Sequence, residues 1–184
     1  MIDMKPYISL LRGINVSDQN RLHMTELKGI YEALNFASVA TYIQSGNVVF
    51  DCAEQDPGVL ARVIEAEIAR STGLTLRVLV RDADQFQEII GRNPFISERQ
   101  EDPEKLHVTF LSELPSRKAL NNLRLPAGAG DEFQVYDKEI FLFCPNGYGK
   151  TKLSNTFFER KLEVAATTRN WKTVNTLNEM AKQR

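Results

Sequence analysis

Three short runs of polar residues stand at the ends of apolar segments, and they are the groups in this chain best suited to chemistry. They are Arg12-Gly-Ile-Asn15, Gln44-Ser-Gly-Asn47 and Ala165-Ala-Thr-Thr-Arg-Asn-Trp-Lys-Thr-Val174. Arginine and amide side chains hold phosphates and carboxylates through directed hydrogen bonds. The pattern therefore indicates a built polar site, although it identifies neither a ligand nor a reaction.

A fourth run, from Gly147 to Lys152, is rich in glycine and lysine and precedes a predicted helix. Such loops bind anions through their backbone N–H groups. Cys144-Pro-Asn-Gly-Tyr-Gly-Lys-Thr151 differs from the phosphate-loop pattern G-x-x-x-x-G-K-T by one residue, with Cys144 in place of the first glycine. The neighbouring strands read as antiparallel hairpins, and no apolar strand ends in an aspartate suited to magnesium. We therefore favour a structural turn or simple anion binding over nucleotide hydrolysis.

Each candidate side chain also has a structural interpretation. Arg12 could clamp an anion or pair with an acidic neighbour, and Asn47 after a glycine is typical of a turn. Trp171 is favoured as a core residue, because it lies three positions before an apolar valine on a helix. His23 is favoured as an exposed residue before a helix, and His107 as structural.

The chain offers no recognisable nucleophile paired with a base. Ser45 on a tight turn lacks the strand-to-helix setting of a hydrolase elbow. Cys52 and Cys144 lie 92 positions apart and lack metal-ligand spacing, and the two histidines are distant in sequence. We expect reduced cysteines, no metal and no cofactor.

Hydrophobic periodicity predicts the element order β-α-β-β-α-β, followed by one helix, in each half of the chain. The first half has predicted strands at Pro6–Leu11, Val39–Gln44, Asn47–Phe50 and Leu74–Val80. Its first predicted helix has Met24, Leu27, Ile30, Tyr31 and Leu34 on one face, its second starts at Asp56-Pro57 and ends at Ser71-Thr72-Gly73, and a further capped helix follows Asp82. The second has strands at His107–Leu111, Glu132–Tyr136, Glu139–Phe143 and Val164–Thr168, and helices at Pro115–Leu123, Thr151–Leu162 and Asn170–Ala181.

This order predicts an α+β fold: a tandem duplication of two ferredoxin-like (split βαβ) units with antiparallel sheets, each followed by an extra helix. The units would be residues 1–92 and 105–184, joined by a proline-containing acidic linker at 93–104. The alternative is one continuous α+β sheet.

The predicted topology brings the polar runs together. A split βαβ unit has the strand order 4-1-3-2, so the end of strand 1 lies beside the start of strand 3. The predicted ligand-binding residues at this edge are Arg12, Asn15, Gln44, Ser45 and Asn47. By the same logic the second half contributes Lys150, Lys152, Arg169 and Asn170.

Composition is ordinary for a soluble globular protein, with 42% hydrophobic and 26% charged residues. No apolar run approaches the ~20 residues of a membrane span. Because the N-terminus lacks a secretory signal, we expect a cytoplasmic protein that does not contact a membrane. Residues 145–184 carry eight basic and three acidic side chains, which would attract an anion. Few aromatic residues accompany these charges, so a small-molecule ligand is favoured over nucleic acid.

The motifs also carry a family resemblance that spans nearly the whole chain. Leu10-Leu-Arg-Gly-Ile-Asn-Val16, Met24-Thr-Glu-Leu27, Thr41-Tyr-Ile-Gln-Ser-Gly-Asn-Val-Val-Phe50, Thr151-Lys-Leu153 and Thr167-Thr-Arg-Asn-Trp-Lys-Thr-Val174 resemble the bacterial domain-of-unknown-function 1697 family. The resemblance implies a cytosolic bacterial protein with a duplicated ferredoxin-like fold, and it implies no activity.

The chain departs from the family pattern at three places. Ser17-Asp18-Gln19 stands where a glycine-rich basic loop is usual, His23 where proline is common, and Thr151 where serine is common. The aspartate weakens the case for phosphate binding at this edge.

Three hypotheses follow from the sequence. The first is a protein that binds an anionic small molecule, a nucleotide or phosphorylated metabolite, at the polar strand ends. The second is a transferase or hydrolase acting at the junction of the two halves. The third is that the polar runs only fix turns, helix caps and the docking of the halves. The sequence does not predict an oligomeric state.

Overall fold

A computed structural model describes residues 3–53, 55–128 and 130–184. The chain divides into two compact units. The first unit comprises Met1–Gln87 and Thr176–Arg184, and the second comprises Glu88–Asn175. The architecture is α+β, with a four-stranded antiparallel sheet in each unit.

The first unit has the strand order β2-β3-β1-β4. Its elements are β1 (Met4–Arg12), α1 (Met24–Ala33), β2 (Ala37–Tyr42), β3 (Asn47–Ala53), α2 (Pro57–Thr72), β4 (Arg77–Asp82) and α3 (Ala83–Gly91). The helix α3 follows β4 without an intervening loop, and its last turn belongs to the second unit.

The second unit has the strand order β6-β7-β5-β8. Its elements are α4 (Pro94–Ser97), β5 (Leu106–Leu111), α5 (Arg117–Asn122), β6 (Glu132–Tyr136), β7 (Glu139–Phe143), α6 (Asn155–Leu162) and β8 (Ala166–Asn170). The helix α7 (Trp171–Lys182) follows β8 directly, and its last turns belong to the first unit.

Local chemistry accounts for the clearest of these elements. The Asp56 side chain accepts a hydrogen bond from the Val59 N–H at 3.1 Å, and Pro57 occupies the first turn of α2. Gly73 ends the helix in the left-handed conformation, with φ of 75°. The predicted start and end of α2 are therefore confirmed. Glu132–Tyr136 and Glu139–Phe143 are confirmed as the strands of a hairpin.

Each unit buries apolar side chains between its sheet and its helices. In the first unit this core is centred on Leu27, Tyr31, Phe50 and Ile64. In the second it is centred on Leu142, Phe158 and Leu162. The arginine at 184 pairs with Asp51 at 3.3 Å and donates to the Val49 carbonyl, which fixes the end of the chain to β3.

A buried hydroxyl pair supports the first core and yields a stability prediction. The Ser9 Oγ and Tyr31 hydroxyl lie 2.7 Å apart, and both side chains are inaccessible to solvent. Ser9→Ala leaves the Tyr31 hydroxyl without this partner, so we expect a loss of about 1–2 kcal/mol in unfolding free energy by urea titration. Adding Tyr31→Phe should recover part of that loss. A double variant as unstable as the sum of the two single variants would contradict this account.

Several predicted boundaries differ from the structure. Residues 93–104, predicted as a linker, contain α4 and part of a 3₁₀ turn at Pro103–Lys105, and Phe95 is fully buried. The first compact unit ends at Gln87, and residues 176–184 lie outside the second, unlike the predicted 1–92 and 105–184. Two separate sheets replace the alternative of one continuous sheet.

Candidate functional site

The two polar runs of the first unit meet, as their predicted topology requires. Leu10 pairs with Asn47 across β1 and β3, and the Leu11 N–H donates to the Gly46 carbonyl at 2.9 Å. The Asn15 Nδ2 donates to the Gln44 carbonyl at 2.8 Å. Two segments almost thirty residues apart in sequence therefore share one edge of the unit.

Asn15 holds this edge together. Its Nδ2 also donates to the Leu22 carbonyl at 2.9 Å, and its Oδ1 accepts from the Leu22 N–H at 2.9 Å. Its backbone is left-handed, with φ of 52°, a conformation that asparagine tolerates better than most residues. The amide is thus used to join the β1–α1 loop to the β2–β3 turn.

The Asn47 side chain likewise makes hydrogen bonds within the β2–β3 turn. Its side chain is fully buried, and its Nδ2 donates to the Tyr42 carbonyl and to the Ser45 Oγ, both at 2.9 Å. These bonds agree with the interpretation of Asn47 as a turn residue. Arg12 ends β1 opposite Arg77 and is partly exposed, and Gln44 is exposed.

A concave pocket of about 470 Å³ opens beside this edge, and we call it the loop pocket. Its lining includes Asn15, Ser17, Arg21, His23, Thr25 and Gln44. Sequence analysis did not single out Arg21, which is exposed and pairs with the exposed Asp18. The position of Arg21 three residues before α1 was a sequence signal that could have identified it as a cation near a helix N-terminus. The pocket includes Asn15 and Gln44 but not the other predicted residues of this edge.

The start of α1 also faces this region. His23 precedes the helix and makes no side-chain cap, so its imidazole does not bond the first N–H groups of α1. The first helical N–H groups have no intrahelical acceptor and carry a partial positive charge. The loop pocket is therefore lined by a guanidinium, an imidazole and the first two residues of α1.

The lysines of the second unit form a different arrangement. Lys150 and Lys152 line a cavity of about 30 Å³ with Asp131, a volume suited to about one water molecule. Lys152 Nζ donates to the Ala127 carbonyl at 2.9 Å. The Asp131 carboxylate accepts from the Thr151 hydroxyl at 2.6 Å. This cavity is too small for a nucleotide.

In the structure, the run that resembles a phosphate loop does not lead directly into an α-helix. The residues Tyr148–Lys150 form a 3₁₀ turn, and α6 begins only at Asn155 rather than at the predicted Thr151. The cap is Ser154, whose hydroxyl accepts from the Phe157 N–H at 3.1 Å. The lysines consequently do not stand at the N-terminus of an α-helix.

Arg169 and Asn170 lie in β8 rather than at the start of the next helix. Arg169 is 8% exposed, and its guanidinium donates to the Thr167 Oγ1 at 2.8 Å and to the Thr168 carbonyl at 3.0 Å. Asn170 Oδ1 accepts from the Thr173 N–H at 2.8 Å, so it caps α7. Their observed hydrogen bonds serve the fold.

The first unit repeats this arrangement with Arg81, which sequence analysis missed, and with Asp82. Arg81 pairs with Ile8 as Arg169 pairs with Val108, and Arg81 is also buried. Its guanidinium donates to the Val80 carbonyl at 3.0 Å. Asp82 Oδ1 accepts from the Gln85 N–H at 2.8 Å, which confirms the predicted cap of α3. An Arg-Asp pair directly before a capped helix was the available signal.

Partly buried side-chain hydrogen bonds join β8 to β5 and to the first residue of α6. Thr168 donates to Asn155 Oδ1 at 2.6 Å, and its hydroxyl oxygen lies 2.7 Å from that of Thr109, which therefore donates to it. The Tyr148 ring stacks on His107 with centroids 4.7 Å apart. Burial lowers the pKa of His107, which favours its neutral form.

The two cysteine side chains are buried and unreactive. Cys52 and Cys144 are free and buried, and burial raises the pKa of each thiol to about 11. Both therefore remain protonated at neutral pH. Within residues 3–53, 55–128 and 130–184, no group of three or more His, Cys, Asp or Glu side chains could hold a metal ion. No helix in that part of the chain is long and apolar enough to cross a membrane.

Comparison with known proteins places the chain in a family. It is similar to the conserved bacterial protein SP0830 from Streptococcus pneumoniae, with 24% identity, a TM-score of 0.74, and coverage of 97% of this chain and 99% of that one. At this identity the likeness concerns the fold alone. No curated protein matches the chain. The family description "Protein of unknown function (DUF1697)" matches residues 4–141, most of the chain. The chain therefore belongs to the DUF1697 family.

Proposed function

We propose that this protein binds an anionic small molecule, a nucleotide or a phosphorylated metabolite, in the loop pocket. The observation that carries the proposal is a cavity of about 470 Å³ that contains both Arg21 and the exposed start of α1. Ligand pockets of this kind commonly span ~300–1,000 Å³. The volume therefore suits a ligand larger than inorganic phosphate.

The charges in the pocket support an anion over a cation. The Arg21 side chain is 73% exposed and its partner Asp18 is 94% exposed, so their ion pair is solvated and weak. A phosphate dianion would compete for the guanidinium with two oxygens in a bidentate geometry. The helix N–H groups would supply further donors to the same oxygens.

A titration of Arg21→Ala tests the proposal. We expect inorganic phosphate, ribose 5-phosphate and AMP to raise the melting temperature of the wild-type protein. Arg21→Ala should weaken binding of the phosphorylated ligands roughly tenfold, because one charge-assisted hydrogen-bond pair is lost. Arg70→Ala is the matched control, since Arg70 is exposed and pairs with Glu67 three residues before it on α2.

The two variants separate specific binding from general charge screening. Equal loss in Arg21→Ala and Arg70→Ala would show that the anions respond only to net charge. No shift with any of the three probes in the wild-type protein would contradict the proposed function itself. Moderate salt should be present throughout, because it suppresses weak surface binding.

A second candidate is that most of the predicted binding residues serve architecture. Its support is the set of hydrogen bonds made by Asn15, Asn47, Arg169 and Asn170, which run to backbone groups or to neighbouring side chains. On this account the ligand contacts come from Arg21, His23 and the start of α1. These four side chains then stabilise the fold and do not touch the ligand.

We further propose that the two units are ferredoxin-like duplicates in a cytoplasmic protein. Their strand orders are the same in sequence order, and Cys52 and Cys144 occupy matching positions in β3 and the segment after β7 when the paired strands are aligned. Arg81 and Arg169 match in the same way. Free buried thiols are usual for a reducing compartment.

A further inference from the structure

The β1–α1 loop is closed at its base by hydrogen bonds. The Asn15 N–H donates to the Asn20 carbonyl at 3.1 Å, and the Asn20 Nδ2 donates to the Gly13 carbonyl at 3.3 Å. The Asn15 side chain bonds both the N–H and the carbonyl of Leu22, each at 2.9 Å. Residues 16–19, which we call the loop tip, lie between these bonds and are all exposed. The loop therefore has a fixed base and a solvated tip.

Asp18 and Arg21 belong to different parts of this loop. Arg21 lies at the base, between the hydrogen-bonded residues Asn20 and Leu22, and its side chain lines the loop pocket. Asp18 lies in the loop tip, and its carboxylate accepts a hydrogen bond from Arg21 Nη2. The tip thus brings an internal carboxylate to the guanidinium that the pocket offers to an anion.

The contact between these two side chains is readily exchanged. Asp18 is 94% exposed and Arg21 is 73% exposed, and exposed ion pairs hold their partners only weakly. The bonds that close the loop base run between other groups, so the Asp18 carboxylate can leave Arg21 while the base stays closed. Opening the pair therefore requires no change in the fold of the first unit.

We propose that Asp18 is a built-in competitor of the ligand, which occupies Arg21 in the free protein and is displaced by the ligand's anionic group. The inference rests on the proposed function and adds a means of setting the affinity of the same pocket. Carboxylates and phosphates bind the same guanidinium donors. When only a fraction of the molecules has the competent arrangement, the apparent affinity is reduced by that fraction. Neutralising Asp18 should therefore strengthen binding.

Calorimetric titration with inorganic phosphate and AMP tests this inference. We expect Asp18→Asn to bind both probes roughly two- to fivefold more tightly than the wild-type protein, because the uncharged amide competes poorly for the guanidinium. The gain should shrink as the salt concentration is raised from about 0.05 to 0.5 M, since salt screens exposed charges.

Two further variants separate competition from overall charge. Glu179→Gln is the matched control, because Glu179 is exposed, pairs with Lys182 three residues later at 3.3 Å, and is not among the residues that line the pocket. It removes the same charge and should leave both affinities unchanged. In the Arg21→Ala background Asp18 has no guanidinium to occupy, so adding Asp18→Asn should leave the affinity almost unchanged.

Nuclear magnetic resonance of the free protein tests the ion pair itself. The Arg21 Nε–H resonance, assigned by its absence from the Arg21→Ala spectrum, should shift in Asp18→Asn and should shift again when AMP is added. An Arg21 resonance that Asp18→Asn does not move would show that the pair is not formed in solution, and would overturn the inference.

The binding outcomes are distinguishable as well. Equal affinities of Asp18→Asn and the wild-type protein would overturn the competition while leaving the anion site intact. An equal gain in Glu179→Gln, or a full gain in the Arg21→Ala background, would assign the effect to repulsion by overall charge and overturn it too. No binding of either probe to the wild-type protein or to Asp18→Asn would contradict the proposed function, and this inference with it.

Discussion

Gly46→Ala is expected to lower the free energy of unfolding by about 3–5 kcal/mol. Gly46 has φ of 78°, which an alanine adopts only with strain. A Cβ atom there would lie 2.7 Å from Ile14 Cδ1 and 2.8 Å from Leu11 Cβ. The tip of the Ile14 side chain could move aside. Leu11 is held in place, because it lies in the buried central strand β1 and its own N–H donates to the Gly46 carbonyl. The turn must therefore separate from β1.

Gly13→Ala provides the matched control. Gly13 has φ of 74°, and a Cβ built on it meets no atom within 4 Å. It should show the backbone strain alone, a loss of about 1 kcal/mol by urea denaturation. The difference between the two variants measures the close approach of the turn to β1. Equal losses would contradict the steric account and attribute both effects to φ.

The parts of the fold that could be predicted from the sequence are those set by residues close together in the chain. The Gly46 turn, the Asp56-Pro57 helix start and the Asp82 cap depend on neighbouring residues, so local sequence patterns identify them. The meeting of Asn15 and Gln44 followed from topology, because an antiparallel central strand brings those ends together. Within the described residues, the strand order of each sheet agrees with the predicted 4-1-3-2.

What the sequence did not predict depends on contacts between distant residues. Residues 93–104 resemble a linker in composition, yet Phe95 is buried and the Arg99 guanidinium lies 5.4 Å from the ring centroids of both Phe95 and Phe143. The end of α7 belongs to the first unit, and Arg184 just after this helix pairs with Asp51. Neither the contact of Arg99 with Phe143 nor the pairing of Arg184 with Asp51 has a local signature, since the two partners are far apart in the chain.

The candidate site was predicted in location but not in composition. Asn15 and Gln44 line the loop pocket, whereas Arg21, which also lines it, was not recognised. Arginine and asparagine in strand-end motifs were interpreted as ligand contacts because of their hydrogen-bonding capacity. In the structure much of that capacity is directed to backbone carbonyls and N–H groups. A polar motif in the sequence does not reveal whether its donors bond to the protein's own backbone or face a ligand.

Arg169 is the residue for which this distinction has the largest measurable effect. Its buried guanidinium donates to Thr167 and to the Thr168 carbonyl, and Arg169→Ala removes both bonds. We expect a loss of about 2–3 kcal/mol in unfolding free energy, because the acceptors remain buried without this donor. Arg81→Ala should cost a similar amount, since its guanidinium makes the same kind of bond to the Val80 carbonyl.

Binding measurements on these variants then separate architecture from recognition. If Arg169 is architectural, Arg169→Ala at a temperature where it is folded should bind inorganic phosphate and AMP with wild-type affinity. Arg160→Ala, which removes the same charge from an exposed position on α6, is the control for net charge. A variant with an unchanged urea midpoint and lost anion binding would make Arg169 a ligand contact. Because burial and hydrogen bonding already fix this guanidinium within the fold, we expect the first result, with anion recognition confined to the loop pocket.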